Sequence, residues 1–260
     1  MNHTLTVFVY TFGLFLGMLL FLEIGRRLAV RRMKDDTGTT GEGFGVVDGA
    51  VFALLGLLIA FTFSGAASRF DTRRQLIVDE TNAIGTAYLR VDLLPAALQP
   101  PLRESFRRYL DSRLAIYRKL PDVAAAKEEL AKSNILQGEL WRQAVGASRA
   151  EGVPAAAPIL LLPALNAMID ITTTRTMATL MHPPAIVFVM LFALAVAASL
   201  LAGYGMTGSK VRSWLHMLGF ALVMAFAVYV ILDIEYPRLG LIQVEAFDQA
   251  LVDLRESMNR

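Results

Sequence analysis

The side chains that could do chemistry here are carboxylates, arginines and three histidines, and none of them is spaced as a catalytic set. The chain has 260 residues and no cysteine, which excludes a thiolate nucleophile, a disulfide and a cysteine metal site. His3, His182 and His216 lie far apart at the edges of apolar segments, so no histidine metal centre is expected. The hydrolase, zinc-protease and nucleotide-binding motifs are absent from the sequence. The sequence therefore predicts a protein that is not an enzyme and that has no metal site and no cofactor.

A stripe of polar residues occupies the segment that follows Arg69. Its members recur every three or four residues, which is the spacing of one face of a helix: Asp71, Gln75, Asp79, Asn82, Thr86 and Arg90. The simpler interpretation is a helix that packs through its apolar side and leaves the stripe in water. The alternative is that the stripe lines an aqueous vestibule.

A second polar cluster is predicted further along the chain. Asn166 and Asp170 fall on one helical face, and Arg175 follows close by. A solvated polar face is again the simpler interpretation of this cluster. The alternative is that Asp170 pairs with an arginine of the long second helix, such as Arg74. The helix predicted at residues 102–120 carries five arginines on one side, and such a basic face is usually solvated: Arg103, Arg107, Arg108, Arg113 and Arg118.

The composition places these residues in a membrane protein. The chain is 55% hydrophobic and only 18% charged, with a mean hydropathy of +0.49, whereas about a quarter of the residues in a soluble domain are charged. The net charge of +2 is too small to indicate a nucleic-acid partner. Four apolar runs are candidates for bilayer-spanning helices: residues 5–22, 46–67, 185–201 and 214–232.

These runs predict an all-α fold with four transmembrane helices and a helical extramembrane domain between spans 2 and 3. Transmembrane helices 1 and 2 occupy residues 1–67, and the extramembrane domain occupies residues 68–184. Transmembrane helices 3 and 4 occupy residues 185–232, and a C-terminal tail occupies residues 233–260. No proline interrupts the chain between Val46 and Pro95. The second span is therefore expected to continue into the extramembrane domain as one helix.

The second span also carries candidate pore-lining residues. Ile59, Phe63 and Phe70 fall along one side of the predicted helix, and Thr62 adds a hydroxyl. Large apolar side chains at a narrow point can gate a pore by dewetting, and hydroxyls can contact passing ions. Packing of these side chains against neighbouring spans or lipid is the simpler interpretation. Because four spans rarely enclose an aqueous path alone, a pore would require several subunits.

The positive charges give an expectation about orientation. Five Lys and Arg residues lie between the first two spans and two lie between the last two. Short loops that are rich in these residues usually stay in the cytoplasm. The charge count therefore favours a large domain and two termini outside, although Arg69, Arg73 and Arg74 flank the second span on the opposite side.

Three blocks of the sequence resemble the bacterial bestrophin-like membrane family, and they occur in the expected order along most of the chain. The blocks are LLGLLIAFTFSGAASRFDTRRQLIVDETNAIGTAYLR, LNAMIDITTTR and ILDIEYPRLGLIQV. A looser resemblance to the bestrophins themselves rests on the four-span layout and on the long second helix.

The resemblance implies a homo-oligomeric channel, pentameric and selective for inorganic anions, whose second helices line the pore. It makes Ile59, Phe63 and Phe70 candidates for an apolar neck. It also implies a cytoplasmic large domain in a multi-pass protein of the bacterial inner membrane, which is opposite to the orientation favoured by the charge count. The acidic calcium clasp of the animal channels is not recognisable in this sequence, so calcium gating is not carried over.

Two hypotheses of different classes follow. The first is an oligomeric ion channel with a helix-lined pore, in which Phe63→Ala raises conductance. The second is a non-conducting membrane scaffold or sensor whose helical domain binds a partner, in which the same substitution affects only assembly or stability. A transporter is less favoured, because no inverted repeat or pair of broken helices is visible in the sequence.

Overall fold

A computed structural model describes residues 3–35, 44–206 and 214–259, and every regular element in these ranges is helical. Most of the predicted connection between spans 1 and 2, and of that between spans 3 and 4, lies outside the described residues. The α-helices are α1 (His3–Asp35), α2 (Phe44–Leu89), α3 (Gln99–Arg118), α4 (Val123–Ser148), α5 (Ala156–Leu180), α6 (Ala185–Gly205), α7 (Trp214–Glu235) and α8 (Glu245–Ser257).

The predicted all-α fold with four spans is confirmed. Four helical segments are long and apolar enough to cross a membrane. They are His3–Arg32, Gly45–Leu93, Ala156–Gly205 and Trp214–Glu235. Helix α4 follows Pro121, and the Asp122 carboxylate at its start accepts hydrogen bonds from the backbone N–H groups of Ala124 and Ala125, both at 3.0 Å.

Helix α2 continues without a break from Phe44 to Leu89, as the absence of an internal proline predicted. A single 3-10 turn, Arg90–Leu93, follows it, and the chain is then extended at Leu94, directly before Pro95. The apolar run 46–67 and the polar stripe that begins at Asp71 therefore belong to the same helix.

The chain divides into two compact units. The first contains residues 1–68 and 182–236, and the second contains residues 69–181 and 237–260. In the first unit, α1 and α6 approach so closely that a Cβ atom on Gly25 would lie 2.0 Å from the Leu200 carbonyl oxygen. A Cβ atom on Gly203 would likewise lie 2.0 Å from the Leu22 carbonyl oxygen, so this crossing requires glycine on both helices.

The second unit has its own apolar core, which is built by α3, α4, α5, α8 and the later part of α2. Residues 237–260, which the sequence-based division placed in a separate tail, contribute Val244, Leu251 and Met258 to this core. The Tyr88 hydroxyl also donates a hydrogen bond to the Met258 carbonyl oxygen at 3.3 Å. The amphipathic pattern of α8 accounts for this packing, because its apolar side chains recur at helical spacing. The assignment of the two units to membrane and water stays a prediction.

Candidate functional site

Helix α2 has a covered side and an uncovered side along almost its whole length. One series of positions, here named the inner line, is buried: Leu55, Thr62, Ala66, Arg73, Ile77, Glu80, Ile84 and Ala87. The opposite series, here named the outer line, is exposed: Ala50, Leu57, Phe61, Ser64, Ser68, Asp71, Gln75, Asn82 and Thr86. Both series advance by three, four or seven residues, so each one stays on a single face of the helix.

The apolar part of α2 is much less covered than the other candidate spans. Only 6% of its most apolar stretch is buried, compared with 28% for α1, 33% for α7 and 22% for the segment that contains α6. The covered part contacts the core of the first unit through Leu55, with Val51, Phe52 and Leu58 packed beside it. Among the described residues, most of the surface of this apolar stretch is therefore not covered by the rest of the chain.

The four candidate pore-lining residues lie in different environments. Thr62 is buried on the inner line, and its hydroxyl donates to the carbonyl oxygens of Leu58 at 2.8 Å and Ile59 at 3.0 Å. Ile59 is half-buried against the core of the first unit, whereas the Phe63 side chain is 46% exposed. Phe70 packs against the core of the second unit. The side chain that remains accessible is therefore that of Phe63.

The polar stripe of α2 mostly occupies its exposed side. Asp71 is exposed and accepts a hydrogen bond from Arg74 at 2.9 Å, and Asn82 is also exposed. Asp79 is half-buried and accepts from the Gln75 amide at 2.9 Å. Arg90 lies just after the helix and donates to the Leu160 carbonyl oxygen at 2.6 Å. The carboxylates of the stripe are thus bonded to neighbours on the same helix.

The residues of the second predicted polar cluster are placed apart. Asn166 and Asp170 are exposed on α5, whereas Arg175 is buried and only 5% exposed. The reason is helical spacing: Arg175 lies on the same side of α5 as the buried residues Met168 and Thr172. Arg175 belongs instead to an ion network that the sequence did not reveal.

Glu80 is the centre of this buried network. Its carboxylate accepts a hydrogen bond from the Arg113 guanidinium at 2.6 Å and forms a second ion pair with Arg175. Glu80 is fully buried and Arg113 is 2% exposed. Because the Glu80 carboxylate lies between two guanidinium groups of opposite charge, these groups can remain ionised away from water. Arg113 had been expected on a solvated basic face; this expectation is wrong, because α3 turns that position toward the core.

Tyr117 joins the guanidinium groups of the network. The guanidinium carbons of Arg175 and Arg238 lie 4.1 Å and 4.3 Å from its ring centroid, which are cation–π distances. Its hydroxyl accepts a hydrogen bond from Arg113 at 2.7 Å. Burial of the hydroxyl and the charge of the Glu80 carboxylate raise the pKa of Tyr117 to about 12. The phenol is therefore neutral throughout the physiological pH range.

The network extends to the C-terminal segment through Asp248. This carboxylate accepts hydrogen bonds from Arg238 at 2.7 Å and 2.8 Å and from Arg175 at 3.3 Å. These ion pairs therefore link α2, α3, α5 and α8.

One feature of the sequence indicates that Glu80 is buried and paired. Glu80 lies between Ile77 and Ile84 on the apolar side of the helix, where an unpaired carboxylate would be costly. Its partners could not be identified without the fold.

Two of the histidines lie together in the first unit. The Nδ1 atom of His182 is 3.0 Å from a carboxylate oxygen of the buried Glu235. The rings of His3 and His182 both contact the ring of Tyr236, with centroids 4.4 Å apart in each case. Among the described residues, no group of three or more histidine and acidic side chains could hold a metal ion.

Comparison with known proteins identifies relatives of this fold. A family profile described as a bestrophin-like domain matches residues 9–247. Two crystal structures of a bacterial bestrophin homologue from Klebsiella pneumoniae, each carrying one substitution, superpose with TM-scores of 0.68 and 0.67 at 14% identity. They cover 96% and 94% of this chain and 98% of the chain compared in each case. Comparison with the curated protein sequences gives no significant match.

Proposed function

Because the chain belongs to the bestrophin-like family, we propose that it forms an oligomeric ion channel whose pore is lined by helix α2. The observation that carries the proposal is the uncovered apolar part of this helix, of which only 6% is buried within the chain. Other copies of the chain would cover part of this surface and leave the rest facing a shared central path. The resemblance to the bestrophins implies five copies and selectivity for inorganic anions.

The proposal places the protein in the bacterial inner membrane as a multi-pass protein. Its pore residues come from α2, and Phe63 is the most accessible of the four candidates Ile59, Thr62, Phe63 and Phe70. The charge count favours a second unit outside the cytoplasm, and the family resemblance favours one inside it. No residue is proposed to act in catalysis.

The buried Glu80 network supports the proposal by fixing the later part of α2. A pore helix must keep its orientation about its own axis, since a turn of one residue moves every side chain by about 100°. The ion pairs from Glu80 to Arg113 and Arg175 oppose such a turn, because rotation would carry the carboxylate away from both arginines. The exposed side of the helix is therefore held in one orientation relative to its own unit.

The test is planar-bilayer recording of the purified protein under an asymmetric chloride gradient, together with a measurement of its oligomeric mass. The proposal predicts a current from an oligomer, and anion selectivity predicts a reversal potential close to that of chloride. A reversal potential of the opposite sign would keep the channel and reject anion selectivity. A monomer or dimer that stays silent, also with Phe63→Ala, would reject the channel and favour the scaffold or sensor.

A further inference from the structure

The arginines of the first unit are confined to one end of it. Among its described residues, every arginine and lysine lies between positions 26 and 34, in the last turns of α1. The start of α1 lies at the other end, where the ring centroids of His3 and Tyr236 are 4.4 Å apart. Asp233 and Glu235 are buried at that other end, just before Tyr236. The arginines near the close of α1 are here named the basic end: Arg26, Arg27, Arg31 and Arg32.

Aromatic side chains of α6 and α7 lie at the same end of the unit. The Arg32 guanidinium donates to the Tyr204 hydroxyl at 3.2 Å, which places the last turn of α6 beside the basic end. Because Tyr236, which follows α7, contacts His3 at the start of α1, the first residue of α7, Trp214, lies at the end where α1 finishes. Trp214 is 50% exposed. Tyrosine and tryptophan are enriched where a membrane meets water, so the basic end fits the level of the lipid headgroups.

The positive charge of the basic end is only partly compensated within this part of α1. The Glu23 carboxylate accepts hydrogen bonds from the guanidinium groups of Arg26 at 2.9 Å and Arg27 at 2.7 Å. One negative charge therefore faces two positive charges. Arg31 is exposed, and no ion pair joins it to another described residue; Arg32 is exposed as well. The last turns of α1 thus present a positive surface to which an anionic group can bind.

Exposed apolar side chains alternate with these arginines. Leu28 is 47% exposed and Val30 is 37% exposed, and they lie between Arg27 and Arg31 in the sequence. Apolar side chains are favoured next to acyl chains, whereas a long arginine side chain can extend from the same depth to the phosphate groups. The mixture therefore suits the boundary between acyl chains and headgroups better than it suits open water.

We infer that the basic end binds the headgroups of anionic phospholipids. Arg31 and Arg32 bind the lipid phosphate, because a planar guanidinium donates two parallel hydrogen bonds to such a group. Tyr204 is a positioning residue that holds Arg32 against α6. A phosphatidylglycerol headgroup, which carries a net negative charge, is favoured over the zwitterionic phosphatidylcholine headgroup. The inference concerns the first unit alone and does not depend on whether the assembled protein conducts ions.

The test is competition between these two lipids for the purified protein in a neutral detergent. Phosphatidylglycerol and phosphatidylcholine with the same acyl chains are added in equal amounts, and native mass spectrometry measures how much of each lipid stays bound. The variants are Arg31→Gln and the double variant that adds Arg32→Gln. The matched control combines Arg108→Gln with Arg118→Gln, which removes two exposed arginines from α3 in the second unit.

The wild type and the control are expected to retain mainly phosphatidylglycerol. One arginine near an anionic lipid surface contributes about fivefold in affinity. The ratio of bound phosphatidylglycerol to phosphatidylcholine should therefore fall about fivefold in Arg31→Gln and further in the double variant. Arg31→Gln alone decides the test if the double variant does not fold. A wild type that retains both lipids equally, or a control whose ratio falls as much as that of the double variant, would overturn the inference.

A second arm of the test distinguishes a lipid from a free phosphate ion. Inorganic phosphate in large molar excess should leave phosphatidylglycerol bound, because the acyl chains add apolar contact with Leu28 and Val30 that the ion cannot make. Displacement of the lipid by inorganic phosphate would overturn the assignment of this end to lipid headgroups.

Discussion

The two sides of helix α2 differ in how far their side chains are buried and hydrogen-bonded within one chain. On the inner line, Thr62, Arg73 and Glu80 all have partners, and the apolar residues between them are packed. On the outer line, Leu57 and Phe61 remain exposed although they are large and apolar. The inner line therefore determines how the chain folds, and the outer line is available to other copies and to solvent. Substitutions on the two lines should have different consequences.

The largest expected difference is in the free energy of unfolding that is lost when Glu80 or Asp71 is replaced by its neutral amide. Glu80→Gln leaves the buried Arg113 without a charged partner and leaves Arg175 with Asp248 alone, and loss of one member of a buried ion pair costs about 3–5 kcal/mol. Asp71→Asn removes an exposed pair with Arg74, which contributes at most about 1 kcal/mol. Denaturant unfolding of both variants in detergent measures the two effects.

Equal destabilisation by these two substitutions would contradict the distinction between the lines. Arg113→Lys provides a further check, because lysine keeps the charge but lacks the planar guanidinium that bonds both Glu80 and Tyr117. It should weaken the fold less than Glu80→Gln does.

A smaller difference is expected when the same change in volume is made on each line. Ala66 is fully buried and Ala50 is exposed. Ala66→Leu should destabilise the chain by about 1–3 kcal/mol, because extra methylene groups in a packed core force neighbouring side chains to move. Ala50→Leu has open space and should leave unfolding nearly unchanged. The fraction of protein that stays folded after heating in detergent compares the two, and a larger loss for Ala50→Leu would be inconsistent with the burial pattern.

The smallest expected loss of stability follows from removal of the Tyr117 hydroxyl, and its size depends on pH. Tyr117→Phe removes the hydroxyl that accepts from Arg113 and should cost about 1 kcal/mol near neutral pH. The native pKa of Tyr117, about 12, is higher than the ordinary value of 10.0. Its neutral form is therefore favoured by folding, and this contribution is present below pH 10 and is lost as the pH rises toward 12.

The pH dependence of unfolding for the wild type and for Tyr117→Phe measures this contribution. The stability of the wild type should fall more steeply between pH 10 and pH 12 than that of the variant, since the phenylalanine cannot ionise. Parallel curves for the two proteins in this range would show that the native pKa is not raised.

Much of the fold could be predicted from the sequence, because membrane spans and helix boundaries depend on local signals. The apolar runs were sufficient to predict the four spans, and the absence of proline before Pro95 was sufficient to predict an unbroken α2. The Glu80 network could not be predicted, because Arg113, Arg175, Tyr117 and Asp248 are far apart in sequence and are brought together only by tertiary packing. The candidate pore residues stay a prediction, because periodicity alone does not determine which face of an apolar helix its own chain will cover.

A structure of the assembled protein in lipid nanodiscs, determined by electron cryomicroscopy, tests the central claim most directly. The quantity to measure is the distance of each spanning helix from the symmetry axis. We expect several copies around one axis, with the side chains of α2 closer to it than those of α1, α6 and α7. A single copy, or an assembly in which α2 faces lipid and another span lines the axis, would contradict the claim.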